Sequence, residues 1–177
     1  MTSYAQNFED VILERIFKDQ TTGFCIDVDA WDDTVDSVTK HFYEKGWHGI
    51  NIEPFPVYFK KLKQSRIRDI NLNIALLEKP GICTLFAITD TGLSTFNANH
   101  ADEHRLKGFD VQEQEVPIST LENICDTYVK DKQIDFLKVD TEGTEFQVLQ
   151  GSNWKRFRPR VLVIEATLPL SQAASHH

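Results

Sequence analysis

Phe24-Cys25-Ile26-Asp27-Val28 and Gly49-Ile50-Asn51-Ile52-Glu53 are the stretches whose reading decides the fold. Each is a short, mostly apolar run bounded by polar residues, the pattern of a parallel strand buried on both faces. Between them Val38, Phe42 and Tyr43 recur at helical spacing, with Asp36 placed to cap the helix and Gly46 to stop it in a left-handed turn. Strand, helix and strand at intervals of about 25 residues make the βαβ unit of a doubly wound sheet. Upstream, Ser3 and Gln6 form a capping-box signature before a helix over about residues 5–18, carried by Phe8, Val11, Ile12, Ile16 and Phe17. Downstream, Pro54 ends the second strand, and Phe55, Phe59 and Leu62 mark a third helix. A third strand is expected from Ile70 to Leu77, turned by Glu78-Lys79-Pro80-Gly81 into a hairpin with Ile82 to Ile88. Residues 89–115 read as a long polar loop, a length that is often functional. Leu121, Ile124, Cys125, Tyr128 and Val129 mark a helix, and Ile134 to Val139 a strand. A helix from Thr144 to Leu149 and a last strand, Val161 to Ile164, complete the pattern.

The chain has 177 residues, a length suited to one domain over residues 1–177. Hydrophobic residues make up 41% and charged residues 26%, as in globular chains, which excludes wholesale disorder. No apolar run is long enough to span a membrane, and no signal peptide is read at the N-terminus. The net charge of −8 argues against a nucleic-acid partner. Lys60, Lys61, Lys63, Arg66 and Arg68 read as a solvated helix face. Cys25, Cys83 and Cys125 are too far apart for a zinc or disulfide framework. Cys25 and Cys83 read as core thiols, and a cytoplasmic location is expected.

Ligands of open α/β sheets bind outside the carboxyl ends of the strands. Asp27, Asp29, Glu53, Asp140, Glu142 and Glu165 all fall at such ends and are expected to converge on one edge. Glu53, closing the second strand, offers two acceptor oxygens to the hydroxyls of a ribose. Alternatively, it caps the Pro54 turn.

Several segments resemble FkbM-type methyltransferases, which use S-adenosylmethionine. They are Ser3 to Leu13, Ile26-Asp27-Val28-Asp29-Ala30-Trp31, Asp36 to Lys40, Gly46 to Pro54, Arg68 to Leu72, Thr91 to Thr95, Asp135 to Gly143, and Arg158 through Thr167. The resemblance covers about residues 3–169 and keeps motif order. It implies a Rossmann-like, mostly parallel sheet with the cofactor across the first two strands. It places Gln6, Asp27, Asp29, Ala30, Ser37, Glu53, Pro54 and Ala75 around that cofactor, with Asp27 near the methionyl amino group, Glu53 on the ribose and Ala75 near the adenine. Asp140 and Glu142 face the transferred methyl and the acceptor, a hydroxyl on a sugar or natural product. No metal is required, because the sulfonium already activates the methyl. Either acid can remove the hydroxyl proton, a contribution of about 10²–10⁴-fold. Asp140 can instead hold the cofactor amino group. His100 and His104 are weaker candidates for the base, and Ser94 and Thr95 for substrate contact. Trp31 can wall the cofactor pocket, whereas Trp47 and Trp154 read as packing residues.

Two departures from the family pattern carry expectations. Asp29 stands where the pattern has glycine, and five aspartates fall between residues 27 and 36. Two like charges about 4 Å apart repel by about 4 kcal/mol at an effective dielectric near 20, so weak cofactor binding is expected. The further helix and two strands usual after the fifth strand are lacking. This points to a truncated chain or to a partner, such as a second copy, on the exposed sheet edge. Two other classes compete. One is a non-catalytic methyltransferase-like binding module. The other is a metal-dependent nucleotide-sugar transferase using Asp27-Val28-Asp29 as a D-x-D clamp.

Overall fold

A computed structural model describes residues 1–88 and 93–165. Five strands form an all-parallel sheet: β1 (Phe24–Val28), β2 (His48–Ile52), β3 (Ile70–Leu72), β7 (Phe136–Val139) and β8 (Val161–Ile164), in the order β3-β2-β1-β7-β8. Three more, β4 (Ala75–Leu76), β5 (Gly81–Ile88) and β6 (Val111–Ser119), make a second sheet in the order β4-β6-β5. The helices are α1 (Glu9–Ile16), α2 (Lys40–Glu44), α3 (Pro56–Ser65), α4 (Ala98–Leu106), α5 (Leu121–Ile124) and α6 (Glu145–Gln150). A π-helical turn, Cys125–Val129, continues α5.

The alternation of β1 and β7 sets the two layers. Ile26, Val28, Leu137 and Val139 face a core with Leu121, Ile124 and Val148 of α5 and α6. Cys25 and Phe136 face the opposite core, with Leu13 and Phe17 of the α1 segment and Phe42 of α2. Helices on both faces define a Rossmann-like doubly wound domain, and the order reverses between β1 and β7. Trp47 is buried and Trp154 packs on the first core, as the sequence reading has them. At the N-terminal ends of the strands, Asp135 accepts from Phe24 N–H and from Arg160 Nη1, both at 2.9 Å. Asp135→Ala strands that amide, and an expected loss of about 1–3 kcal/mol is measurable by urea unfolding.

Several expectations are corrected. Asp36 does not cap α2; Thr39 occupies the cap position and its hydroxyl donates instead to Asp27. Gly46, at φ +92, does provide the left-handed stop. Ser3 does not cap α1 through a backbone amide; its hydroxyl donates to Asp10, and Phe8 holds the cap position. The expected third strand is two strands in two sheets. Asn73 breaks it by donating to the carbonyls of Glu53 and Pro54. The Glu78–Gly81 turn therefore does not pair its flanking strands; β4 and β5 both pair with β6. The polar loop contains α4 and β6. Among α4 residues only Ala101 and His104 are buried, leaving no apolar stripe, and β6 exposes a polar face along most of its length. Arg66 is fully buried rather than solvated, donating to Asp33 O and Ser37 Oγ, and Cys83 is half-buried. The Thr91-Gly92 and Ala166-Thr167 parts of the motifs lie outside the described residues. Among the described residues, no helix is long and apolar enough to cross a membrane.

Candidate active site

The strand reversal leaves a cleft at the carboxyl ends of β1, β7 and β8. Its volume is about 320 Å³, and its lining includes Gln6, Asp29, Trp31, Lys138, Asp140, Glu142 and Glu165. Small-molecule sites begin at about this size. A narrow apolar slot beside it is lined by Val28, Ile52, Pro54, Ala75, Leu76 and Phe96, and Asp29 borders both spaces.

Lys138 organises the floor. It sits on β7 on the same sheet face as Phe136 and is 7% exposed. Its ammonium donates to Asp29 O at 2.9 Å and lies 3.4 Å from both Asp27 Oδ1 and Asp140 Oδ2. Burial opposes its charge, but Asp140, Asp27 and Asp29 overcome that and hold its pKa above the ordinary lysine value. Sequence reasoning missed this residue. The signal was a lysine inside the apolar run Phe136-Leu137-Lys138-Val139, directly before a strand-end acid.

The two acids assigned to catalysis diverge in character. Burial pushes Asp140 up, but Lys138 and a hydrogen bond with Glu165 outweigh it and leave it below the usual aspartate range. Burial pushes Glu142 up to about 8, aided by the charges of Glu165, Asp140 and Glu145. Carboxylate oxygens of Asp140, Glu142 and Glu165 lie within 4.8 Å of one another. The turn that carries Glu142 is tightly held. Glu145 Oε1 accepts from Thr141 N–H at 2.9 Å and Gly143 N–H at 3.0 Å. Thr95, fully buried, donates its hydroxyl to Glu142 O at 3.0 Å. Gly143 has φ +105, and a Cβ there would stand 2.9 Å from the His100 ring. Thr95 is thus a structural clamp, His104 is buried in α4, and His100 packs behind the turn rather than lining the cleft.

On the other side, Glu53 is 2% exposed and lines neither space. Its Oε2 accepts from Trp31 N–H at 2.8 Å and its Oε1 from Phe55 N–H at 2.7 Å. Of the two sequence readings, the Pro54-turn cap is the one this geometry displays: the loop after β1 folds onto the acid, and each of its oxygens accepts from a backbone amide. Burial raises Glu53 to about 7 against the pull of these amides. Asp27 is also withdrawn, 2% exposed beneath Lys138 with Thr39 Oγ1 donating at 2.8 Å. Ser37 is turned away, accepting from Arg66 at 2.9 Å. Ala30 is buried and absent from the lining. Gln6, Asp29, Pro54 and Ala75 keep places around the two spaces. Asp29 has φ +61, which explains why the family pattern has glycine here; aspartate is among the few residues that tolerate it. The D-x-D clamp fails, since Asp27 is engaged by Lys138 and Thr39 and Asp29 does not join it in a ligand set.

The raised acids set the pH dependence of stability. Folded Glu53 and Glu142 keep protons that the unfolded chain, at an ordinary glutamate value of 4.5, has already released. The folded state therefore binds more protons between about pH 4.5 and 8, and stability falls as pH rises through that window. Asp140, held low, acts below this range. Calorimetry is expected to show a melting temperature at least about 5 °C lower at about pH 8.5 than at about pH 5.5.

The fold and cleft define a Rossmann-like domain with an acidic cleft at its topological switch point. The profile of the methyltransferase FkbM domain matches residues 27–177, and the chain belongs to that family of methyltransferases. No curated protein and no solved structure shows significant similarity to it.

Proposed function

We propose that the chain transfers a methyl group from S-adenosylmethionine to a hydroxyl of a sugar or natural product. The observation that carries this is the acidic lining of the cleft: Asp29, Asp140, Glu142 and Glu165 line it, and Lys138, the one cation among its described lining residues, is consumed by internal partners. A ligand bearing a sulfonium and an ammonium favours the ionised forms of these acids, so the methionyl end fits these residues. The adenine end is directed to the apolar slot of Pro54, Ala75 and Phe96, which at about 10 Å³ has to widen to take the ring. Bound there, the cofactor supplies an activated methyl.

The chain's own residues do the rest. Asp140, kept ionised by Lys138, holds the cationic end. Glu142, with a pKa near 8, suits proton removal from the acceptor hydroxyl at neutral pH. The pinned Thr141–Gly143 turn fixes the backbone that carries it, and such positioning is where much of the rate of a two-substrate transfer arises.

The saturated Glu53 favours a second reading, a non-catalytic module of the same family. Incubation with methyl-labelled S-adenosylmethionine and a panel of sugars and hydroxylated natural products separates the two. Label in a hydroxyl-bearing acceptor supports the enzyme; no label in any acceptor at about pH 8.5 supports the module.

A further inference from the structure

Asp29 is fixed through its own backbone. Its N–H donates to Ile52 O at 2.9 Å, the following N–H of Ala30 donates to the same oxygen at 3.1 Å, and its carbonyl accepts from Lys138. With φ at +61, this backbone delivers the side chain onto Glu53, with which it hydrogen-bonds at the junction of cleft and slot. Two carboxyl groups bond to each other only by sharing a proton. The other charged groups facing the pair are Lys138, Asp140 and Glu142, with Asp27 behind Lys138; a single cation stands against three further acids.

We propose that Asp29 is the residue that decides nucleoside entry: its carboxyl group occupies Glu53 in the place of a ribose hydroxyl, and a nucleoside binds only when this acid pair parts. The inference rests on the reading of the cleft as a nucleoside site. Parting follows from loss of the shared proton, which leaves two anions in contact. Asp29 then turns toward the cleft, where a cationic ligand meets it, and Glu53 regains a free acceptor. Binding is thus linked to release of one proton, which burial and the charge of Glu53 hold on Asp29 well above the usual aspartate range.

Titration calorimetry with S-adenosylhomocysteine at about pH 6.5, 7.5 and 8.5 tests this on three forms of the chain. For the wild type, affinity is expected to rise about tenfold per pH unit and then level off. Asp29→Gly, which accepts the left-handed backbone without strain, is expected to bind at least about 30-fold tighter than wild type at about pH 6.5 and to show no pH dependence. Asp29→Asn keeps the size and donates a permanent N–H to Glu53, so it stays weak throughout. Equal, pH-independent affinity of wild type and Asp29→Gly overturns the proposal and leaves the nucleoside site standing. No binding by any form, with all three folded by thermal melting, overturns both.

Discussion

Glu142→Gln is expected to lower kcat by about 10²–10⁴-fold while leaving S-adenosylhomocysteine affinity within a few fold of wild type. The amide keeps the shape of the side chain and cannot accept a proton. The surrounding turn is held by Glu145 and Thr95, neither of which is touched by the change. In the wild type, kcat is expected to climb about tenfold per pH unit below about 8 and then level, following the raised acid. This limb appears in kcat, whereas the Asp29–Glu53 pair acts on binding. The two are separated by repeating the profile in Asp29→Gly, where only the binding limb disappears. A Glu142→Gln chain that turns over at the wild-type rate assigns proton removal to another group.

Lys138→Met carries the largest expected cost to stability, about 3–5 kcal/mol by urea unfolding. Methionine fills a similar volume, but Asp27, Asp140 and the Asp29 carbonyl lose their common donor. Asp27 is worst placed, being 2% exposed with Oδ1 left without any other partner. The deficit is expected to shrink as pH falls and Asp140 takes up a proton. Asp140, no longer held low, then titrates upward toward neutrality, which carboxyl carbon resonances followed by NMR would display. A stability loss under about 1 kcal/mol contradicts the role assigned to Lys138.

The central sheet could be read from the chain because its inner strands are buried on both faces and its edge strand Val161–Ile164 is just as apolar. Phe24–Val28, His48–Ile52, Phe136–Val139 and Val161–Ile164 are apolar runs whose identity does not depend on tertiary context. The second sheet could not. Its β6 strand, with Gln112, Glu113, Gln114 and Glu115 in sequence, is polar because one face meets water, and α4 has too few buried residues to show a period. The edge on which the acids gather also followed from topology, since strand ends converge whatever their partners are. Which oxygens remain free did not. Nothing in Glu53-Pro54-Phe55 says that the amide of Trp31, 22 positions earlier, lies against the same carboxylate. Nor does Asp29 in sequence reveal that a left-handed backbone aims it at Glu53 rather than at water.

The most direct test is a crystal structure of the chain grown at about pH 8.5 and saturated with S-adenosylhomocysteine. The homocysteine end is expected in the cleft beside Asp140 and Glu142, the adenine in the widened slot of Pro54 and Ala75, and the ribose on Glu53 with Asp29 swung aside. An empty cleft, or a ligand seated away from the ends of β1 and β7, contradicts this placement.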